Sequence, residues 1–353
     1  MVVTDTRRRR ARRKSRFGRL AGWQKALTVL VVLLLLLGGG LAGSAFYLYS
    51  RYDNKVARED LLPDAASAAD QEQRDENWES GALNLLLLGS DSRAGEAGGV
   101  SPIGERSDTI MLVHISRNRD KATIVSIPRD SYVDVPAGGS WKGGKNKINA
   151  AFAFGGAKLT AATVRQLTGV PLDGAMIANF AGVHRLVDAV DGVNVCVPYV
   201  VRSTFSRKVW PKGCHDMDGD EAEEFMRQRY EVPGGDFGRM YNQQLVVKAV
   251  IAEAAHGDML TNPLKFDHLM VTAAEALTVD KSLDLRELAL AVRGIRPAAI
   301  KYATVPYTSA NLRTRAGSAV QLDKVKSAAM FAAIKADTID EWLTAHPQKA
   351  PGS

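Results

Sequence analysis

Metal-binding side chains are scarce in this chain. Its 353 residues include two cysteines and six histidines, and no two histidines stand in an HxxxH pair. A zinc site built on these residue types is excluded. No G-x-S-x-G, no P-loop and no glycine-rich dinucleotide fingerprint after a strand is present, which removes the common serine-hydrolase, NTPase and dehydrogenase signatures. Asp216-Met217-Asp218-Gly219-Asp220 opens like a calcium loop. Its glycine stands fourth, however, and the twelfth position is Arg227, so an EF-hand is excluded too. No repeat recurs at about 20–50 residues, and no long low-complexity tract appears.

Charge is also missing, from residues 26–50. This stretch centres on LTVLVVLLLLLGGGLAG. As a helix it would reach about 37 Å, enough to cross a hydrocarbon layer of about 30 Å with some tilt. Trp23 flanks one end, and Phe46, Tyr47, Tyr49 and Tyr52 the other, where aromatics favour the membrane interface. Residues 1–25 carry ten basic side chains and one acid, a local charge of +9 against +7 for the whole chain. By the positive-inside rule this predicts a cytoplasmic N-terminus and a single-pass cell-membrane anchor. A signal peptide cleaved near Gly43-Ser44-Ala45 is the competing reading, and the apolar run is long for one. In both readings the rest of the chain is exported. The basic tail is too short for a DNA-reading domain, and no nucleic-acid partner is expected.

Export makes Cys196 and Cys214 a predicted disulfide, because thiols outside the cytoplasm oxidise. Loop closure would make such a bridge worth about 3 kcal/mol. Residues 51–80 read as a polar, acidic stalk holding a domain off the membrane, the domain covers 81–345, and 346–353 is a loose tail. Strand-like runs occupy 82–89, 108–116 and 122–128, the last two joined by a short turn as in a hairpin. Helices are predicted over 147–167, broken at Gly155-Gly156, and over 180–188, 221–229 and 240–255. A strand is expected at 193–197. Beyond 260 helices are expected to dominate, around one strand at 300–305. The interleaving predicts an α/β fold, a mixed central sheet flanked by helices on both faces.

Polar residues crowd the ends of the first three strands, where open α/β sheets place ligands. Asp91 and Arg93 follow the first, Arg106 and Asp108 precede or open the second, and Arg129 and Asp130 follow the third. Two carboxylates on adjacent strands beside arginines suit a divalent cation and a phosphate. Residues 227–244, RQRYEVPGGDFGRMYNQQ, form a second cluster. Arg227 and Arg229 project together only from extended backbone. Asp236 and Arg239 open a helix after a Gly-Gly turn, with Gln243 four residues further on the same face. Arginine forks and a helix N-terminus both favour phosphate. A salt-bridge network that merely holds a loop is the structural alternative.

These segments resemble the LytR–CpsA–Psr family of bacterial cell-wall proteins. The matching pieces are LNLLLLGSDSR (83–93), RSDTIMLVHI (106–115), ATIVSIPRDSYVDVP (122–136), KINAAFAFGG (147–156), LVDAVDGVNVCVP (186–198), FMRQRY (225–230) and GDFGRMYNQQ (235–244), in order across 80–256. The resemblance implies a phosphotransferase that moves a glycopolymer from an undecaprenyl (polyprenyl) phosphate or pyrophosphate carrier to peptidoglycan. It implies Mg²⁺, or Mn²⁺, on Asp91 and Asp108. It implies phosphate contacts from Arg93, Arg106, Arg129, Arg227, Arg229, Arg239 and Gln243, with Asp236, Arg239 and Asp130 in catalysis. It also implies an apolar tunnel for the prenyl chain. The expected partners are the polyprenyl-linked donor, the peptidoglycan acceptor and the lipid bilayer. Two positions depart from the family pattern: Asn242 stands where a second arginine is usual, and Ala222-Glu223 replaces Ala-Leu. A Mg²⁺-dependent polyprenyl pyrophosphatase, a membrane-anchored transcriptional attenuator and a non-catalytic lipid shuttle are the competing functions.

Overall fold

The computed structural model describes residues 51–64, 68–90, 107–255, 259 and 261–348. The basic tail and the predicted span at 26–50 lie outside the described residues. No helix among the described residues is long and apolar enough to cross a membrane. The elements begin with β1 (Ala57–Glu59), α1 (Ala68–Glu79), β2 (Leu83–Ser90), β3 (Ser107–Ile115), β4 (Ala122–Ser126), β5 (Tyr132–Val135), β6 (Gly144–Lys147) and α2 (Ile148–Thr168). Then come β7 (Gly174–Asn179), α3 (Phe180–Ala189), β8 (Val193–Val197), β9 (Val201–Arg202), β10 (Val209–Trp210), β11 (Gly213–Met217), α4 (Gly219–Arg227) and α5 (Asp236–Ala254). The chain continues with α6 (Pro263–Ala276), β12 (Leu277–Asp280), α7 (Leu285–Val292), β13 (Ile300–Thr304), β14 (Tyr307–Thr314), β15 (Gly317–Leu322), α8 (Lys324–Lys335) and α9 (Ile339–Ala345).

Seven strands form one mixed sheet in the order β1-β12-β7-β2-β3-β4-β13. β2 runs parallel to β7 and antiparallel to β3, and β4 runs antiparallel to β3 and parallel to β13. The C-terminal ends of β2, β4, β7 and β13 and the start of β3 therefore share one end of the sheet. The continuous apolar run of β2 is buried on both faces, as a central strand requires. Leu86 and Leu88 pack with Ile110, Leu112, α2 and α8. Leu83 and Leu85 pack with Val279, Leu283 and Ala291 of the opposite face. A separate apolar cluster joins α3, α4, α5, β8 and β11. The helix over 148–168 is interrupted where Gly155 and Gly156 leave helical geometry (φ −148° and +64°). Cys196 and Cys214 face each other across the β8–β11 ladder and are joined by a disulfide.

Two expectations need correction. The stretch 51–80 is no spacer. β1 pairs in parallel with β12 at the sheet edge, and Leu61 and Leu62 are buried, their amides donating to Asp280 Oδ2 at 2.8 and 2.9 Å. A few apolar residues in a polar segment suffice to seat it, which its acidic composition conceals. Beyond 260, the β14–β15 hairpin stands where helices were expected, and β12 follows α6 without a break. The run YTSANLRT lacks an apolar stripe of helical period, and its polar alternation suits a ribbon with one side in water. β12 is only four residues long and carries no glycine or proline to announce it.

Candidate functional site

Asp236 is the centre of the site. It opens α5 behind Gly235, whose φ of +59° favours glycine and whose place at the helix cap offers no side chain to the first-turn amides. Gly238 matters as well: a Cβ there would meet Val232 Cγ1 at 2.3 Å and Pro233 O at 2.4 Å. The VPGG loop thus packs flat against the first helical turn. Asp236 Oδ1 lies 2.6 Å from Arg239 Nη2, 3.5 Å from Arg129 Nε and 3.9 Å from Arg229 Nε. Three guanidinium groups around one carboxylate leave a positive excess. Arg239 is buried at 7% exposure, so this excess is poorly screened by water. Burial, and then repulsion from Arg239, pulls the Arg129 guanidinium below its ordinary pKa. An anion arriving here would relieve both arginines.

Arg129 leaves the end of β4 and is held by its backbone: its carbonyl accepts from Asn149 N at 3.0 Å. One turn along α5, buried Gln243 accepts from Thr109 Oγ1 at 2.7 Å. Its Nε2 is buried without a hydrogen-bond partner among the described residues. That is a donor aimed into the site from the side of β3.

Arg227 and Arg229 diverge at the end of α4. Gln228 between them is extended (φ −64°, ψ 123°). Arg229 turns to Asp236. Arg227 instead lies over the Phe180 ring, 4.9 Å from its centroid, and pairs with Glu223 at 2.9 Å. Glu223 is also 3.3 Å from His184 Nδ1. One of the two departures from the family pattern therefore supplies a partner to a predicted phosphate-binding arginine. The signal was its i, i+4 spacing from Arg227. The other departure is structural. Asn242 is fully buried, accepts from Tyr199 Oη at 2.8 Å and donates to Phe225 O at 3.5 Å. Its amide is spent on packing α5 against the second core.

Asp130 stands beside Arg129, yet its carboxylate faces Lys147 and the Asn149 amide, both at 3.4 Å. Asp108 is the second residue of β3. Its side chain, with Asp91, Arg93 and Arg106, lies outside the described residues. The backbone register is nonetheless defined: Ser90 pairs with Ser107, the residues that precede Asp91 and Asp108. Thus Arg129, Arg229, Asp236 and Arg239 converge, Gln243 follows on the next turn of α5 bonded to Thr109 of β3, Arg227 meets Phe180 and Glu223, and Asp130 turns aside.

A cluster of three arginines, two of them largely buried, beside a helix N-terminus and the end of β4 suits a phosphate ester. Similarity to known proteins agrees with this reading. The LytR_cpsA_psr family model matches residues 47–336. A polyisoprenyl-teichoic acid–peptidoglycan teichoic acid transferase, TagU, of Bacillus cereus is 35% identical over 245 residues, spanning 66% of this chain and 76% of that protein. A probable cell wall biosynthesis protein, LcpB, of Corynebacterium glutamicum is 34% identical over 269 residues, 73% of this chain and 60% of that protein. Among solved structures, protein gbs0355 of Streptococcus agalactiae superposes with a TM-score of 0.62 at 25% identity, over 78% of this chain and 91% of that one. With a family model spanning most of its length and the same sheet beneath its arginines, the chain belongs to the LytR_cpsA_psr family.

Proposed function

We propose that this protein is an extracytoplasmic transferase that moves a glycopolymer from a polyisoprenyl phosphate or pyrophosphate carrier to peptidoglycan during cell-wall assembly. The observation that carries the reading is the group of Arg129, Arg229 and Arg239 around Asp236 in a chain of this family. Phosphoryl transfer asks a protein mainly for positioning and charge stabilisation. Asp236 fixes the three guanidinium groups, and they grip the phosphate oxygens. A wall hydroxyl attacks the phosphorus joined to the glycopolymer. The bond from that phosphorus to its bridging oxygen breaks, and the carrier phosphate leaves with the electron pair. The hydroxyl proton passes to a carboxylate of the site or to water; Asp236 is the acid set among the arginines, whereas Asp130 is engaged by Lys147 and Asn149.

Asp91 and Asp108 suit a divalent cation, Mg²⁺ or Mn²⁺. They follow a paired Ser90 and Ser107 at one sheet end, and such ions are held by one or two carboxylates together with phosphate and water. Bound there, the ion would neutralise charge on the phosphates. The partly buried Phe180, Val183 and Leu186 of α3, beside Arg227, offer an apolar surface for the prenyl chain. The span at 26–50 would tether the domain to the leaflet that carries this lipid, with the N-terminus in the cytoplasm.

The test is transfer by the full chain in detergent, from a polyisoprenyl pyrophosphate-linked glycopolymer to peptidoglycan, beside Arg129→Ala and Arg239→Ala. Both variants are expected to lose transfer at least about a hundredfold. Transfer at the wild-type rate in both would sink the assignment. Carrier phosphate released without any coupled glycan would indicate a pyrophosphatase instead.

A further inference from the structure

A cleft of about 990 Å³ opens beside the phosphate site, on the other side of α5. Gly234 and Phe237, one residue on either side of the Gly235-Asp236 pair, are part of its lining. From there it runs along β13, the outermost strand of the sheet, to α9. Phe237 stacks on Tyr307 of the β14–β15 hairpin with ring centroids 4.2 Å apart, and both rings line the cleft. Gln244, also in the lining, donates to Ser126 Oγ at 2.7 Å, whereas its neighbour Gln243 serves Thr109 on the phosphate side. The helix that carries Asp236 and Arg239 thus separates two compartments that meet at its first turn.

The cleft lining has a distinct chemistry. Tyr241, Tyr302 and Trp342 contribute aromatic side chains. The Tyr302 hydroxyl is buried with no hydrogen-bond partner among the described residues. Of the cleft lysines, Lys301 is paired with Asp340. Lys248 and Lys326 are exposed and enter no salt bridge among the described residues. Asp323, also in the lining, caps α8 by accepting from Val325 N and Lys326 N, and leaves the cleft with more cationic than anionic side chains. Aromatic faces with two separated, unpaired ammonium groups suit a chain of sugar rings bearing sparse carboxylates. A simple prenyl chain would leave the lysines unmatched, and a dense polyphosphate would ask for more of them.

We propose that this cleft seats the acceptor, a peptidoglycan strand whose amino-sugar rings lie on the aromatic side chains and whose stem-peptide carboxylates meet Lys248 and Lys326. The proposal rests on the transferase reading above for the identity of the acceptor. It places the two substrates on opposite sides of one helix: the carrier phosphate at Asp236 and Gln243, the wall hydroxyl arriving past Phe237. Two substrates that must react without sharing a pocket are served by this layout.

The experiment uses the full chain in detergent and the double variant Lys248→Glu/Lys326→Glu. Titration with uncrosslinked peptidoglycan oligomers, in the absence of donor, reads the cleft without any catalysis. The double variant should weaken that binding about five- to tenfold, as loss of two exposed ionic contacts allows. In the transfer assay it should raise the KM for peptidoglycan by a similar factor and leave the KM for the lipid-linked donor unchanged. Equal binding by wild type and variant, or no binding by wild type, overturns the proposal. So does a rise confined to the donor KM, which would hand the cleft to the glycopolymer. Because the titration needs no turnover, failure of the transferase reading leaves a separate signature: oligomer binding that depends on Lys248 and Lys326, with no transfer. Thermal unfolding of the variant at the wild-type temperature excludes a folding defect.

Discussion

The two ends of the central sheet each hold a carboxylate withdrawn from water, Asp236 partly and Asp173 fully, and they are solvated in opposite ways. At one end Asp236 is ringed by three arginines. At the other, Asp173 is 2% exposed and bound by neutral donors: Asn77 Nδ2 at 2.8 Å and Asn84 N at 2.7 Å. Nearby, His114 is held between Asn84 Oδ1 and Asp337 Oδ1 at 2.8 and 2.9 Å. Desolvation dominates at Asp173 and lifts its pKa to about 6. The contrast separates a structural acid from a functional one. A fold satisfies a buried carboxylate with amides when the task is to pin α1 to the sheet. It gathers more cations than the carboxylate can neutralise when an anion is still to come.

Removing charge at each end sharpens that contrast. Asp236→Asn should lower transfer by about a hundredfold, because three arginines lose their common anchor, with little change in unfolding temperature. A large drop in stability with activity preserved would make Asp236 the structural acid. Next in size is the disulfide: reduction should cost about 3 kcal/mol of stability, since the bridge joins residues 18 apart, with transfer intact once the chain is folded. Denaturant unfolding with and without reductant measures it.

Asp173 makes a prediction about pH. Its folded pKa of about 6 lies above the ordinary carboxylate value of 3.8, so between these values the folded state holds a proton that the unfolded state has released. Its contribution to stability is present at about pH 4 and lost by about pH 6, some 2–3 kcal/mol at most. Buried His114 is displaced the other way, chiefly by desolvation, and opposes this by weakening the fold as pH falls. Asp173→Asn should flatten the decline between pH 4 and 6 while transfer is unchanged. A decline as steep as in the wild type would assign the titration elsewhere. The smallest effect is expected at Glu223→Leu, which restores the usual family residue. Without the Glu223 carboxylate beside it, Arg227 should bind the anionic donor a fewfold more tightly, seen as a fall in donor KM with kcat nearly constant. An unchanged KM would mean that Arg227 lies outside the donor site.

Much of this was readable in advance. Apolar runs bounded by turn residues marked β2, β3 and β4, and the order of Arg129, Arg227, Arg229, Asp236, Arg239 and Gln243 pointed to phosphate. What escaped was set by tertiary contact. Spacing could not tell that Asp130 turns to Lys147 or that Asn242 serves Tyr199, because a helix or loop position does not say which neighbour arrives. Glu223 stood out only as a departure from the family's Ala-Leu, and its pairing with Arg227 beside Phe180 emerged with the end of α4. The segment 51–80 looked like a tether because its acidic surface outweighs the few residues that seat it, among them Val56, Leu61, Leu62 and Trp78.

The β14–β15 hairpin has a practical side. It is fastened to the end of the sheet beside Asp236, with Val320 N donating to Asp130 O at 2.8 Å and Tyr307 stacked on Phe237. Its far half, turning at Gly317 with φ +88°, is mostly exposed. Sequence there is free to drift or to be exchanged without disturbing the fold. The hairpin is thus a cassette: a built-in place to graft a fluorophore, an affinity tag or a relative's loop within reach of the reacting groups.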